Sequence, residues 1–159
     1  MLWKKPHISK IYEALTALAD GRISRNGKNA ICYSTDRKQV YDIQYDPKVG
    51  SIMSNDNAAY YTRTLSYPMI GDLMLLGVIP YDSRLLEILS NIYWEDIYER
   101  FKNDYDKSVK FVIGELKKNS DDVEFVTSEV KKIYEFVRNL DVKTYGIFQK
   151  PQKGVNFKL

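Results

Sequence analysis

The sequence predicts an α+β fold: a small antiparallel β-meander of three to four strands packed against a mostly helical C-terminal half. Three observations predict it. Residues 22–54 hold an Asn26-Gly27 pair followed by the run "KQVYDIQY", which alternates apolar and polar residues with a period of two. Before and after that stretch, apolar residues recur at helical spacing. No Pro-, Gly- or Ser-rich linker divides the 159 residues, so they form a single domain spanning 1–159.

Residues 1–21 form the N-terminal helix. Ile8, Ile11, Tyr12, Leu15, Leu18 and Ala19 make one stripe, with Pro6 suited to the entry and Gly21 to a left-handed stop. Residues 22–54 form the meander. After the Asn26-Gly27 turn, Tyr41, Ile43 and Tyr45 face one way and Asp42 and Gln44 the other. Asp46-Pro47 and Gly50 turn the chain into "SIMS", the last strand.

Residues 55–140 are helical. Ser54, Asn55, Asp56 and Asn57 are capping residues, so a helix is expected from about Asp56 towards Leu65. Pro68 should break or kink it, and Arg63 and Asp72 can pair across the break. A segment from Met69 to Leu76 stops at Gly77. Asp82 or Ser83 then caps a helix carrying Leu85, Leu86, Ile88, Leu89, Ile92, Tyr93, Ile97 and Phe101, with or without a break near Asn103. The last helix opens on the capping-box spacing of Asp121 and Glu124. It sets Val123, Val126, Val130, Ile133, Val137 and Leu140 on an a/d stripe, which suits packing within the chain or a two-fold dimer contact. Residues 141–159 are a basic tail whose alternating Tyr145 and Ile147 suit an edge strand or a loose end.

Composition narrows the function. Hydrophobic content of 44% and charged content of 28% are those of a soluble globular protein, not a disordered one. The richest apolar window, residues 69–79, contains Asp72 and is too short to span a bilayer, so no membrane partner is expected. The N-terminus lacks the apolar core of a signal peptide, and the single cysteine, Cys32, suits a reducing, cytoplasmic home. The chain is tyrosine-rich, with 13 tyrosines against six phenylalanines, which suits a core edged with hydrogen bonds or a contact surface. Net charge is +3, yet residues 1–10 carry three lysines and no acid, and residues 142–159 four lysines and no acid. The intervening body is therefore mildly acidic between two basic ends.

Catalytic signatures are scarce. One histidine, His7, and one cysteine make no zinc-type ligand set, and no phosphate-binding glycine loop is present. No metal or cofactor is expected. Glu95 and Glu99, one helical turn apart in "WEDIYER", are the candidate catalytic carboxylates, since a cleft could raise one pKa for acid–base work. The helix start at "SNDNAAYYTR" offers Asn55, Asn57 and Arg63 as an anion-binding set beside its capping role. In the tail, Lys143, Lys150, Lys153 and Lys158 interleave with Tyr145 and Phe148, a pattern for phosphate tracking and base stacking.

Three functions follow. The leading one is a non-catalytic, soluble binding or assembly protein forming a homo-oligomer. A second is nucleic-acid binding through the basic, aromatic-interleaved termini, with RNA or an acidic protein as partner. A third is a carboxylate-based enzyme acting on an anionic small molecule.

Overall fold

The computed structural model describes residues 1–152. Its elements are α1 (Ser9–Ala19), β1 (Ile23–Asn26), β2 (Asn29–Tyr33), β3 (Val40–Asp46), β4 (Ser51–Ser54), a π-helical turn (Ala58–Thr62), α2 (Tyr67–Leu75), α3 (Arg84–Ile88), α4 (Trp94–Arg100), α5 (Tyr105–Asn119), α6 (Val123–Asn139) and β5 (Lys143–Thr144). This is the expected α+β arrangement, with a meander followed by helices.

The sheet order is β1-β2-β3-β4-β5. Its first four strands are antiparallel, and β5 joins the edge of β4 in parallel, pairing Ser51 with Lys143 and Ile52 with Thr144. The first hairpin turns one residue later than Asn26-Gly27 suggests. Asn26 and Asn29 close the ladder, and Gly27, at φ 65, is the first residue of the turn. A primed turn needs that left-handed residue, which only glycine adopts freely.

Helix α1 lies at the centre. Ser9 and the run from Ile11 to Ala17 are all buried, because α1 packs against α2, α3, α5 and α6. Around it the core gathers Ile43 and Ile52 from the sheet, Met69, Ile70 and Leu73 from α2, Leu85 and Leu89 from the α3 region, and Trp94 from α4. The a/d stripe of α6 is consumed here too: Val126, Val130, Ile133 and Val137 are at most 3% exposed. That stripe is core within one chain.

Two stretches differ from expectation. Pro68 does not interrupt a helix. It occupies the first turn of α2, where its missing N–H has no intrahelical partner to lose. The preceding segment is only the five-residue π turn, ended by Arg63 at φ 55. Further on, the long apolar pattern is cut into α3, α4 and α5 at left-handed Asn91, Lys102 and Asn103. Left-handed residues stop a right-handed helix, and asparagine tolerates that conformation better than most.

The N-terminal segment closes the sheet edge. Leu2 bridges Lys143, and the Trp3 indole N–H donates to the Ile52 carbonyl at 2.9 Å. Lys4 bonds in both directions to the chain beyond the π turn, through the Arg63 carbonyl and the Leu65 N–H. These ties hold residues 56–67 against α1 and leave a cleft between them and α4.

Candidate functional site

The cleft encloses about 630 Å³. The N-terminal end of α1 contributes Lys10 and Glu13, with His7 just before it. The exposed end of β3's core face contributes Tyr41, and residues 56–67 contribute Asp56, Asn57, Tyr61, Ser66 and Tyr67. Glu95 and Tyr98 come from α4, and Asn103 and Tyr105 close the far end. Five tyrosines therefore wall one concavity.

Its polar groups are unequally satisfied. The Lys10 ammonium lies 2.8 Å from Glu13 Oε2, and 4.8 and 4.6 Å from the ring centroids of Tyr98 and Tyr105. The same Glu13 oxygen accepts the Tyr98 hydroxyl at 2.9 Å. Burial, then the Glu13 charge, holds the Tyr98 phenol protonated well above its ordinary range. His7 is committed elsewhere: the Ser9 N–H donates to Nδ1 at 3.0 Å, which puts the ring proton on Nε2, 2.8 Å from Asp106 Oδ1.

Asp56 is the cap that the polar run promised. Its Oδ1 accepts the Ala59 N–H at 2.9 Å, and its Oδ2 accepts the Ser66 hydroxyl at 2.5 Å. Burial raises its pKa above the usual carboxylate range, against the opposing pull of those hydrogen bonds. Tyr41 is different. It is 8% exposed, yet its hydroxyl has no hydrogen-bond partner among the described residues. Burial, then the charges of Glu95 and Asp56, raises its pKa. Glu95 sits on the rim, reached by solvent but flanked by the cleft walls. It too has no ion pair or hydrogen bond among the described residues. Desolvation, then the charges of Asp36 and Glu13, raises its carboxyl pKa, while Arg22 opposes them.

The residues singled out by sequence are dispersed. Glu95 and Asn57 line the cleft; Glu99 is exposed and lies outside it. Asn55 is buried, its side-chain oxygen accepting the Asp42 N–H at 2.8 Å, so it braces β3 instead. Arg63 donates to the Tyr60 carbonyl at 2.7 Å and stacks over Phe148 at 3.6 Å. Arg63 does not meet Asp72, as the sequence suggested it could. Asp72 is fully buried and takes both Nε and Nη2 of Arg25, at 2.7 and 3.1 Å, because α2 lies across β1. In the tail, Lys143 and Lys150 are exposed and Tyr145 is half-buried, while the Phe148 ring is covered by Arg63 and set edge-on to Trp3 at 5.4 Å. Lys153 and Lys158 lie outside the described residues. Among the described residues no cluster of three or more His, Cys, Asp or Glu side chains is placed to hold a metal.

Sequence reasoning missed Lys10, Glu13, Tyr41, Tyr67, Tyr98 and Tyr105. One signal was available in α1. Glu13 is the one charged residue between Ile11 and Ala17, and an acid within such an apolar run needs partners. The tyrosine count was a second signal, without an address.

Fold and site together define an α+β protein that carries an aromatic, acid-lined cleft beside a central buried helix. The family model described as "Uncharacterised conserved protein UCP014422" matches residues 3–143, and the chain belongs to that family. The match begins at Trp3 and ends at β5, so it takes in every cleft residue and leaves Tyr145, Phe148 and the later tail lysines outside. No curated protein and no solved structure matches the chain.

Proposed function

We propose that this protein is a non-catalytic small-molecule-binding protein, with the tyrosine-walled cleft as its ligand site. One observation carries the reading: Tyr41 is a buried side chain whose hydroxyl opens on the cleft without a hydrogen-bond partner among the described residues. A hydroxyl fixed by a buried ring and open to a concavity is a positioned polar group that a ligand can use. The cleft's volume also falls within the range of about 300–1,000 Å³ typical of ligand sites. The single cysteine, Cys32, suits a reducing cytoplasm. Among the described residues no helix is long and apolar enough to cross a membrane.

Assembly is the other half of this reading. With the α6 stripe consumed in the core, it rests on exposed Leu2, which bridges Lys143 of β5, and exposed Val49, next to the Gly50 whose carbonyl accepts the Lys143 N–H. Light-scattering chromatography reads it directly, with a dimer expected and a monomer counting against it.

The test of the cleft is a small-molecule screen by thermal shift, on the native protein and on Asn57→Trp, whose indole would fill the mouth. Ligands that stabilise the native protein should lose their effect in the variant. Equal stabilisation of both proteins, or no stabilising ligand of any charge class, sinks the reading.

A further inference from the structure

The charges of the cleft are not balanced. Lys10 is neutralised by Glu13 at 2.8 Å, and His7 is held between the Ser9 N–H and Asp106. Both oxygens of Asp56 already accept hydrogen bonds. Glu95 has no ion pair or hydrogen bond among the described residues, Arg22 acting on it only through space, and it lines the same cleft as Tyr41. The cleft already shows what its tyrosine faces favour, since Tyr98 and Tyr105 both lie within 5 Å of the Lys10 ammonium.

We infer that the ligand of this cleft is a small organic molecule bearing a protonated primary or secondary amine, held by the Glu95 carboxylate and the Tyr41 hydroxyl. The inference rests on the binding reading above and adds the class of ligand. The amine places N–H donors against two acceptors that have none, and its charge balances Glu95. The apolar body lies along Tyr61 and Tyr67, both on the cleft wall. An anionic ligand would meet Glu95 and Asp56 with like charge. A quaternary ammonium would satisfy the charge but bring no N–H to Tyr41 or Glu95.

The test uses the full chain and four probes sharing one aromatic body: 2-phenylethylamine, 2-phenylethanol, 3-phenylpropionate and the trimethylammonium analogue of the amine. Binding is followed by two-dimensional NMR titration of the native protein, Glu95→Gln and Tyr41→Phe. Because Glu95 is exposed, Glu95→Gln leaves the fold intact and keeps the test clean. The primary amine should bind about tenfold tighter than the alcohol, a gap of about 1.4 kcal/mol. In Glu95→Gln that preference should shrink below about threefold, with the alcohol's affinity unchanged. Tyr41→Phe should weaken the primary amine and leave the trimethylammonium probe unaffected. Equal binding of amine and alcohol, tighter binding of the acid, or a preference that survives Glu95→Gln overturns the inference. Nα-acetyl-lysine amide separates the sources of the ammonium. If it matches phenylethylamine, the group recognised is a protein lysine and the small-molecule assignment falls. If non-amines occupy the cleft, and lose it in Asn57→Trp, while amines do not, the ligand class is wrong and the binding reading stands. If no compound of any charge enters, both fail.

Discussion

Tyr98 on α4 donates its phenol proton to Glu13 on α1 at 2.9 Å, and the same carboxylate oxygen takes the Lys10 ammonium at 2.8 Å. One buried acid thus ties two helices and one cation at the floor of the cleft. Tyr98→Phe should cost about 1–2 kcal/mol in urea unfolding, since Glu13 keeps Lys10 but loses a hydrogen bond to a charged group. Glu13→Ala should cost more, because it leaves both the hydroxyl and the ammonium without that partner. A Tyr98→Phe protein as stable as the native one would show that the bond contributes nothing in solution.

The Arg25–Asp72 pair locks the first hairpin onto α2, with the Asp72 side chain wholly buried. Removing only the cation strands a buried carboxylate, so Arg25→Met should lose about 3–5 kcal/mol. The double variant Arg25→Met/Asp72→Leu should recover much of that loss, because no charge is left in the interior. Chemical denaturation of the two variants separates the cases. A double variant as unstable as the single one would mean that the pair specifies the packing of α2 rather than merely compensating its own burial.

These two pairs show what the sequence could and could not say. The meander was legible because a two-residue period and a glycine turn are local signals, and the α6 stripe because six residues repeat along one helix. Arg25 lies 47 positions from Asp72, and Tyr98 lies 85 from Glu13. Such meetings depend on how α1 and α2 cross the sheet, which no local pattern encodes. Pro68 illustrates the same limit at short range. Its geometry suits a helix start as well as a helix break, and only the left-handed Arg63 before it decides between them. The cleft was illegible for a related reason: each tyrosine occupies an ordinary apolar position in its own element, and only the assembled elements aim the rings at one another.

Asp56 gives a pH-dependent prediction. Burial raises its pKa in the folded protein, so the folded state holds that proton more tightly than the unfolded chain does. Unfolding then releases a proton, and stability falls as pH rises from the ordinary carboxylate range through the raised value. Asp56→Asn keeps an oxygen for the Ala59 N–H and an amide for Ser66 Oγ, but has no charge to bury. It should be more stable than the native protein at about pH 8, with the gap closing towards about pH 4. A gap that widens in acid would reverse the sign and refute the assignment.

Phe148 distinguishes a structural tail from a nucleic-acid platform. Its ring lies under the Arg63 guanidinium, at 3.6 Å, and makes a T-shaped pair with Trp3, so Phe148→Ala should lower stability by about 1–3 kcal/mol. Lys150→Ala, on an exposed side chain, should change it by less than about 0.5 kcal/mol. Single-stranded RNA supplies the contrast. A Phe148→Ala protein of native stability that binds RNA more weakly would make the ring a stacking surface.

Glu95 sets the pH profile of amine binding. The charged groups acting on it come from several elements: Asp36 from the β2–β3 connection, Glu13 from α1, Arg22 from the α1–β1 turn and Asp96 from its own helix. Together with desolvation by the cleft walls they raise its pKa, the desolvation contributing most. Only the ionised carboxylate attracts the ammonium, so affinity should be level near neutral pH, where the amine is protonated, and fall as pH drops through that raised value towards the level of Glu95→Gln. The midpoint should therefore lie above the ordinary glutamate range. Asp36→Asn should move it down, because Asp36 is the largest of the charges holding it up, while its amide oxygen still accepts the Lys38 N–H that Oδ1 takes at 3.0 Å. Glu95→Gln should leave a weak, pH-independent residue of binding. Titrating phenylethylamine across this range on the three proteins reads all of these at once, and a native midpoint that ignores Asp36→Asn would separate Glu95 from the binding event.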